Sequence, residues 1–92
     1  MWTMLDTIGK TGSEGGRILA DEEYAGACRI TIEDCGDRLA VTCGVFGAFV
    51  HTAYCRDSAV YAAMKAEIEQ FLQTDTTADD EIAFYESFAA RY

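Results

Sequence analysis

Residues 27–55 read ACRITIEDCGDRLAVTCGVFGAFVHTAYC, and their alternation decides the fold. From Ala27 to Glu33, Cys28, Ile30 and Ile32 point one way and Arg29, Thr31 and Glu33 the other, the period of two expected of a strand with one covered face. Arg38 to Phe46 repeats the pattern with Leu39, Val41, Cys43 and Val45, and Phe49 to Cys55 supplies a further strand. Asp34-Cys35-Gly36-Asp37 turns the chain between the first two, and Gly47-Ala48 fits a two-residue II′ turn between the last two. This register pairs Cys28 with Cys43, Ile30 with Val41, Glu33 with Arg38, Val45 with Val50, Gly44 with His51 and Phe46 with Phe49. It assigns Val50, Thr52 and Tyr54 to the core face with Cys28, Ile30, Ile32, Leu39, Val41, Cys43 and Val45. Arg29, Thr42, Gly44, Phe46, Phe49 and His51 fall on the opposite face. A one-residue slip would exchange the faces.

Outward from this centre, Ile18 to Glu22 reads as an earlier strand, followed by a polar turn near Glu23–Gly26. After Cys55 the period becomes helical. Asp57 or Ser58 caps a helix whose stripe is Val60, Tyr61, Met64, Ile68, Phe71 and Leu72. Thr77 caps a last helix, with Asp79, Asp80 and Glu81 at its positive end and Ile82, Tyr85, Phe88, Ala89 and Tyr92 facing inward. Trp2, Leu5 and Ile8, stopped by Gly9, predict a short N-terminal helix. The expected fold is a single α+β domain in the order (α)ββββαα, a four-stranded antiparallel meander backed on one face by two C-terminal helices. Residues 1–16 form the N-terminal helix and a Gly-rich loop, 17–55 the sheet and 57–92 the helices.

The length of 92 residues suits one domain, and 16 acidic against 7 basic residues leave a net charge of −9. That field repels phosphate backbones and argues against nucleic acid as a partner. Leu39 to Cys55 lacks a formal charge but is too short and too rich in strand-forming residues for a membrane helix. The N-terminus carries no secretory pattern, so Cys28, Cys35, Cys43 and Cys55 read as thiols of a cytoplasmic protein.

The motifs mostly dissolve on inspection. Gly9-Lys10-Thr11 resembles the end of a phosphate-binding P-loop, but Met4 stands where its first glycine belongs. The loop Thr11 to Gly16 retains amides suited to an anion. Asp75 to Glu86 has calcium-loop carboxylates, yet Asp80 occupies the position that needs glycine, so the segment reads as a helix start. No metal or cofactor is expected. His51, the single histidine, lies too far along its strand from Cys55 and faces away from Cys43, which breaks each Cys–His dyad. Cys28 and Cys43, if opposed, come within disulfide span, but small buried thiols are the favoured reading.

Two functional expectations follow. Phe46, Phe49 and His51 would form an aromatic corner on an edge strand without Lys, Glu or Pro, to be covered either by residues 2–9 or by a second subunit; the latter gives a non-enzymatic interaction or regulatory domain that self-associates as a homodimer. The acidic field adds a basic protein as a second class of partner. The alternative is a small-ligand or anion site on the same face, where Gly44 leaves room beside Thr42, Arg29 supplies charge and His51 a titratable donor.

Overall fold

Cross-strand pairing organises the molecule from its first residues. The computed structural model describes residues 2–46, 49–74 and 77–92. It contains strands β1 (Trp2–Met4), β2 (Arg17–Tyr24), β3 (Cys28–Asp34), β4 (Leu39–Val45) and β5 (Phe49–Cys55), then helices α1 (Ala59–Leu72) and α2 (Ala78–Arg91). The strands form one antiparallel sheet in sequence order, backed by the two C-terminal helices, so the α+β meander is as expected.

The expected N-terminal helix is replaced by β1, whose Trp2 pairs with Tyr24 and Met4 with Glu22. The outer edge of β2 otherwise presents unpaired amides and carbonyls, and β1 satisfies them. Trp2 adds an edge-on contact with Tyr24, ring centroids 5.2 Å apart, and lies under the Lys65 ammonium of α1. An i, i+3 spacing over three apolar residues was too short a signal to separate the two periods.

Both central turns shift the register. Cys35 donates its amide to the Arg38 carbonyl at 2.9 Å, which makes Gly36 and Asp37 the middle residues of the turn. Gly36 has φ 93°, the positive value a tight hairpin needs at its first middle position, and Cys35 does not share glycine's freedom there. β4 consequently moves two residues along β3: Ile30 faces Cys43, Cys28 faces Val45 and Glu33 faces Ala40, with the side-chain faces preserved. Cys28 and Cys43 are thus not opposed, and all four cysteines are free thiols.

The second shift has larger consequences. Phe46 donates its amide to the Ala27 carbonyl at 2.9 Å, which prolongs the β3–β4 ladder by one residue. β5 then pairs Val45 with Phe49 and Cys43 with His51, one residue from the expected register. The II′ turn assigned to Gly47-Ala48 lies outside the described residues. A one-residue slip reverses a strand: Phe49, His51, Ala53 and Cys55 face the helices, while Val50, Thr52 and Tyr54 face away.

The core lies between sheet and helices. Cys28, Ile30, Ile32, Val41, Cys43 and Ala53 meet Met64 and Ile68 of α1 and Phe88 of α2, all buried. Each large side chain there contributes about 1.5–3 kcal/mol by leaving water. Asp57 accepts the Ala59 amide at the start of α1, and Thr77 with Asp80 forms a reciprocal capping box on α2. The inward side of α2 is Phe84, Tyr85, Phe88 and Tyr92; Ile82 and Ala89 are exposed, contrary to expectation. Among the described residues, no helix is long and apolar enough to cross a membrane.

Candidate ligand-binding site

The face of the sheet turned away from the helices is covered by residues 5–16, a strap held at two buried carboxylates. Asp21 of β2 is fully enclosed. It accepts the Thr7 hydroxyl of the strap at 2.6 Å, Thr31 at 3.0 Å, and Arg29 through Nε at 2.9 Å and Nη2 at 2.5 Å. Burial alone would raise its pKa, but these donors outweigh burial and hold the carboxyl below the ordinary aspartate value. Glu33 of β3, also fully enclosed, accepts the amides of Glu14 and Gly16, each at 3.1 Å. The amides of this loop are therefore taken by a carboxyl group of the protein's own. Only glycine permits this approach: a Cβ at Gly12 would run into the Glu33 carboxyl group, and one at Gly16 would meet Cys35 Sγ at 2.8 Å.

The strap also borrows backbone bonds from β2. Leu5 donates to Asp21, Gly9 to Ile18 and Ile18 to Lys10, at 2.8–2.9 Å. At its far end the Tyr54 hydroxyl of β5 donates to the Glu14 carboxylate, and Arg38 stacks over the Tyr54 ring.

Between these anchors strap and sheet part, leaving a cavity of about 770 Å³. Its floor follows from register. Thr31 and Thr42 are neighbours in one transverse row, and Arg29, Gly44 and Val50 in the next; Asp21, Thr52 and Glu23 continue these rows beyond the cavity lining. The hydroxyls of Thr42 and Thr52 share one hydrogen bond at 3.0 Å, which leaves the pair one proton to donate. Thr7, Lys10, Ser13 and Ile18 line the strap side, and Phe46 and Val50 the opposite rim. Gly44 keeps the floor low, since a Cβ there would touch Val50 and the Phe49 carbonyl. Among the described residues, the lining includes Lys10 and Arg29 and no Asp or Glu.

The expected site residues divide accordingly. Arg29, Thr42 and Gly44 share this floor, but His51 does not join them, because the reversed face of β5 carries it under α2. There its ring packs edge-on against Phe88 at 6.1 Å, and its Nε2 is buried without a partner among the described residues. The Phe46–Phe49 pair is likewise separated: Phe46 stays on the cavity rim, while the Phe49 ring stacks on Tyr85 at 4.7 Å. His51 instead faces Cys43, the partner the expected register denied it. That juxtaposition is chemically quiet, as burial first, then the neighbouring Cys28, pushes the Cys43 thiol up to about 12.

Compared with family models, curated proteins and solved structures, the chain finds no match. The site therefore stands on its own geometry. Lys10, Thr7, Ile18 and the two carboxylate anchors lie outside the expected site, because the sequence offers residues 11–16 as a Gly-rich loop with amides for an external anion and not as a cover for the sheet. The available signal was Asp21, an acidic residue inside a strand, together with Gly12 and Gly16, placed to let a chain lie flat on another.

Proposed function

We propose that this chain is a small-ligand-binding domain whose site is the strap-covered cavity on the sheet. The observation that carries the reading is the cavity's composition. A volume of about 770 Å³ falls within the range of small-molecule sites, and its lining joins an apolar side of Ile18, Phe46 and Val50 to a few convergent polar groups, Lys10, Arg29 and Thr42. A fragment panel titrated into labelled protein tests it by amide shifts. The reading requires shifts clustered at Thr31, Thr42 and Gly44; a panel that moves only residues of α1 and α2 overturns it.

A second reading rests on a separate observation. β5 is an edge of the sheet, and its outward side chains Val50 and Tyr54, with Phe46 beside them, are 77%, 50% and 53% exposed. Residues 49–55 contain no Asp, Glu, Lys, Arg or Pro to discourage pairing. These features support self-association of two copies edge to edge. Light scattering at micromolar concentration is expected to give a dimer that Val50→Lys returns to a monomer; a monomeric wild type would refute this reading alone. The charge of −9 supports a basic protein as a further partner, and four free thiols suit a reducing, cytoplasmic setting.

A further inference from the structure

We infer that the cavity takes a single-chain amphiphile bearing one carboxylate, its head group at Lys10 and Arg29 and its tail toward Phe46 and Val50. The inference rests on the ligand-binding reading and adds the ligand's chemistry. Its basis is how charge is sorted. The chain carries 16 acidic and 7 basic residues, yet among the described residues the cavity lining contains two basic residues and no acid. Such an arrangement favours an anion locally within a field that otherwise repels one.

The charge available is small. Arg29 has committed Nε and Nη2 to Asp21, and Glu23, its partner across the ladder, adds a further negative field. Its Nη1 has no partner among the described residues, so it serves as a hydrogen-bond donor with little net charge to give. Lys10 forms no salt bridge with any described residue and supplies the remaining positive charge. One negative charge is therefore the most this lining balances. A phosphate dianion would need more, and of the strap amides those of Gly12, Glu14, Gly15 and Gly16 are spent on Glu33 and on the Gly12–Gly16 turn. Among the described residues, the opposite rim offers no cation. Phe46 and Val50 present carbon surface there, open to solvent, which an aliphatic tail leaving the head group would cover.

Calorimetric titration of the full chain with octanoate, 1-octanol and octyl phosphate at pH 8 tests the assignment, with Lys10→Gln as the variant. Lys10 contributes only backbone hydrogen bonds to the fold, so the substitution leaves the strap's anchors in place. The expected result is octanoate bound roughly tenfold more tightly than octanol, a preference that Lys10→Gln removes and that falls with added salt. Equal binding of octanoate and octanol would overturn the carboxylate assignment and leave the cavity reading standing. Tighter binding of octyl phosphate would overturn the count of one charge. Failure of all three ligands would overturn both the assignment and the cavity reading. Binding to anionic phospholipid vesicles in preference to dissolved octanoate would refute a soluble single-chain ligand.

Discussion

The two faces of the sheet meet different covers. Beneath α1 and α2, Ile30, Val41, Met64, Ile68 and Phe88 close against one another as carbon surface, and the thiols of Cys28 and Cys43 behave as further apolar groups. Beneath the strap, the buried large side chains include two carboxylates, each matched by donors aimed at it. Apolar packing is indifferent to direction and resists being opened anywhere. A hydrogen-bonded strap is held at points and can leave a hollow between them. That difference explains why the substantial cavity of the sheet lies on the polar side, where Asp21 and Glu33 act as fixed posts.

The largest effect should come from the helix side. Phe88→Ala removes the side chain that joins α2 to the sheet through Phe49 and His51, and is expected to cost about 4 kcal/mol in urea unfolding. The loss should be global, lowering the protection of strap and sheet together. If α2 alone were released, the core would not be the single unit described.

Asp21→Ala comes next, at about 3 kcal/mol, because it leaves Arg29 and two hydroxyls without their acceptor. Arg29 reaches solvent, which keeps the figure at the lower end. Here the two faces should separate: limited proteolysis should cut within residues 5–16 before the helices. Equal sensitivity of both covers would contradict the comparison.

Glu33→Gln should cost less, about 1–2 kcal/mol, since the Glu14 and Gly16 amides share Oε1 and would keep there only the weaker oxygen of a neutral amide. Its signature is local. Exchange at Glu14 and Gly16 should accelerate while Ile30 and Val41 stay protected, and unchanged exchange at the strap would show that Glu33 is no anchor.

Acid provides the smallest and most graded test. Asp21 is held below the ordinary aspartate value of 3.8, so its stabilisation is complete above that value and disappears as pH falls through its lower folded pKa. Stability should therefore decline below about pH 4, and the decline should be shallower in Asp21→Asn. A wild type whose stability rises on acidification over this range would reverse the sign and refute the paired state of Asp21.

How far the sequence carried differs between strands in the same way. Alternation over 28–34 and 39–45 survived a two-residue shift, because an even displacement keeps Ile30, Val41 and Cys43 on their face. β5 was lost by one residue, and with it the placement of Phe49 and His51, because the Phe46 amide bonds to Ala27 across the sheet, a contact that no local pattern announces. Phe49-Val50-His51-Thr52 is apolar or weakly polar on both sides, so the run did not oppose the wrong face. Of the site, Arg29, Thr42 and Gly44 were legible from strand parity. The strap was not, since its ordering depends on Asp21 and Glu33, which lie 14 and 19 residues from the Thr7 and Glu14 they hold.

The most direct test of the two-cover account is native-state hydrogen exchange at the Gly16 amide, whose acceptor is the enclosed Glu33 carboxylate. The account predicts slow exchange in the wild type and exchange faster by at least tenfold in Glu33→Gln, with Val41 unaffected. A Gly16 amide that exchanges at the rate of an open chain in the wild type would mean that the strap does not lie on the sheet, and the cavity would have no wall.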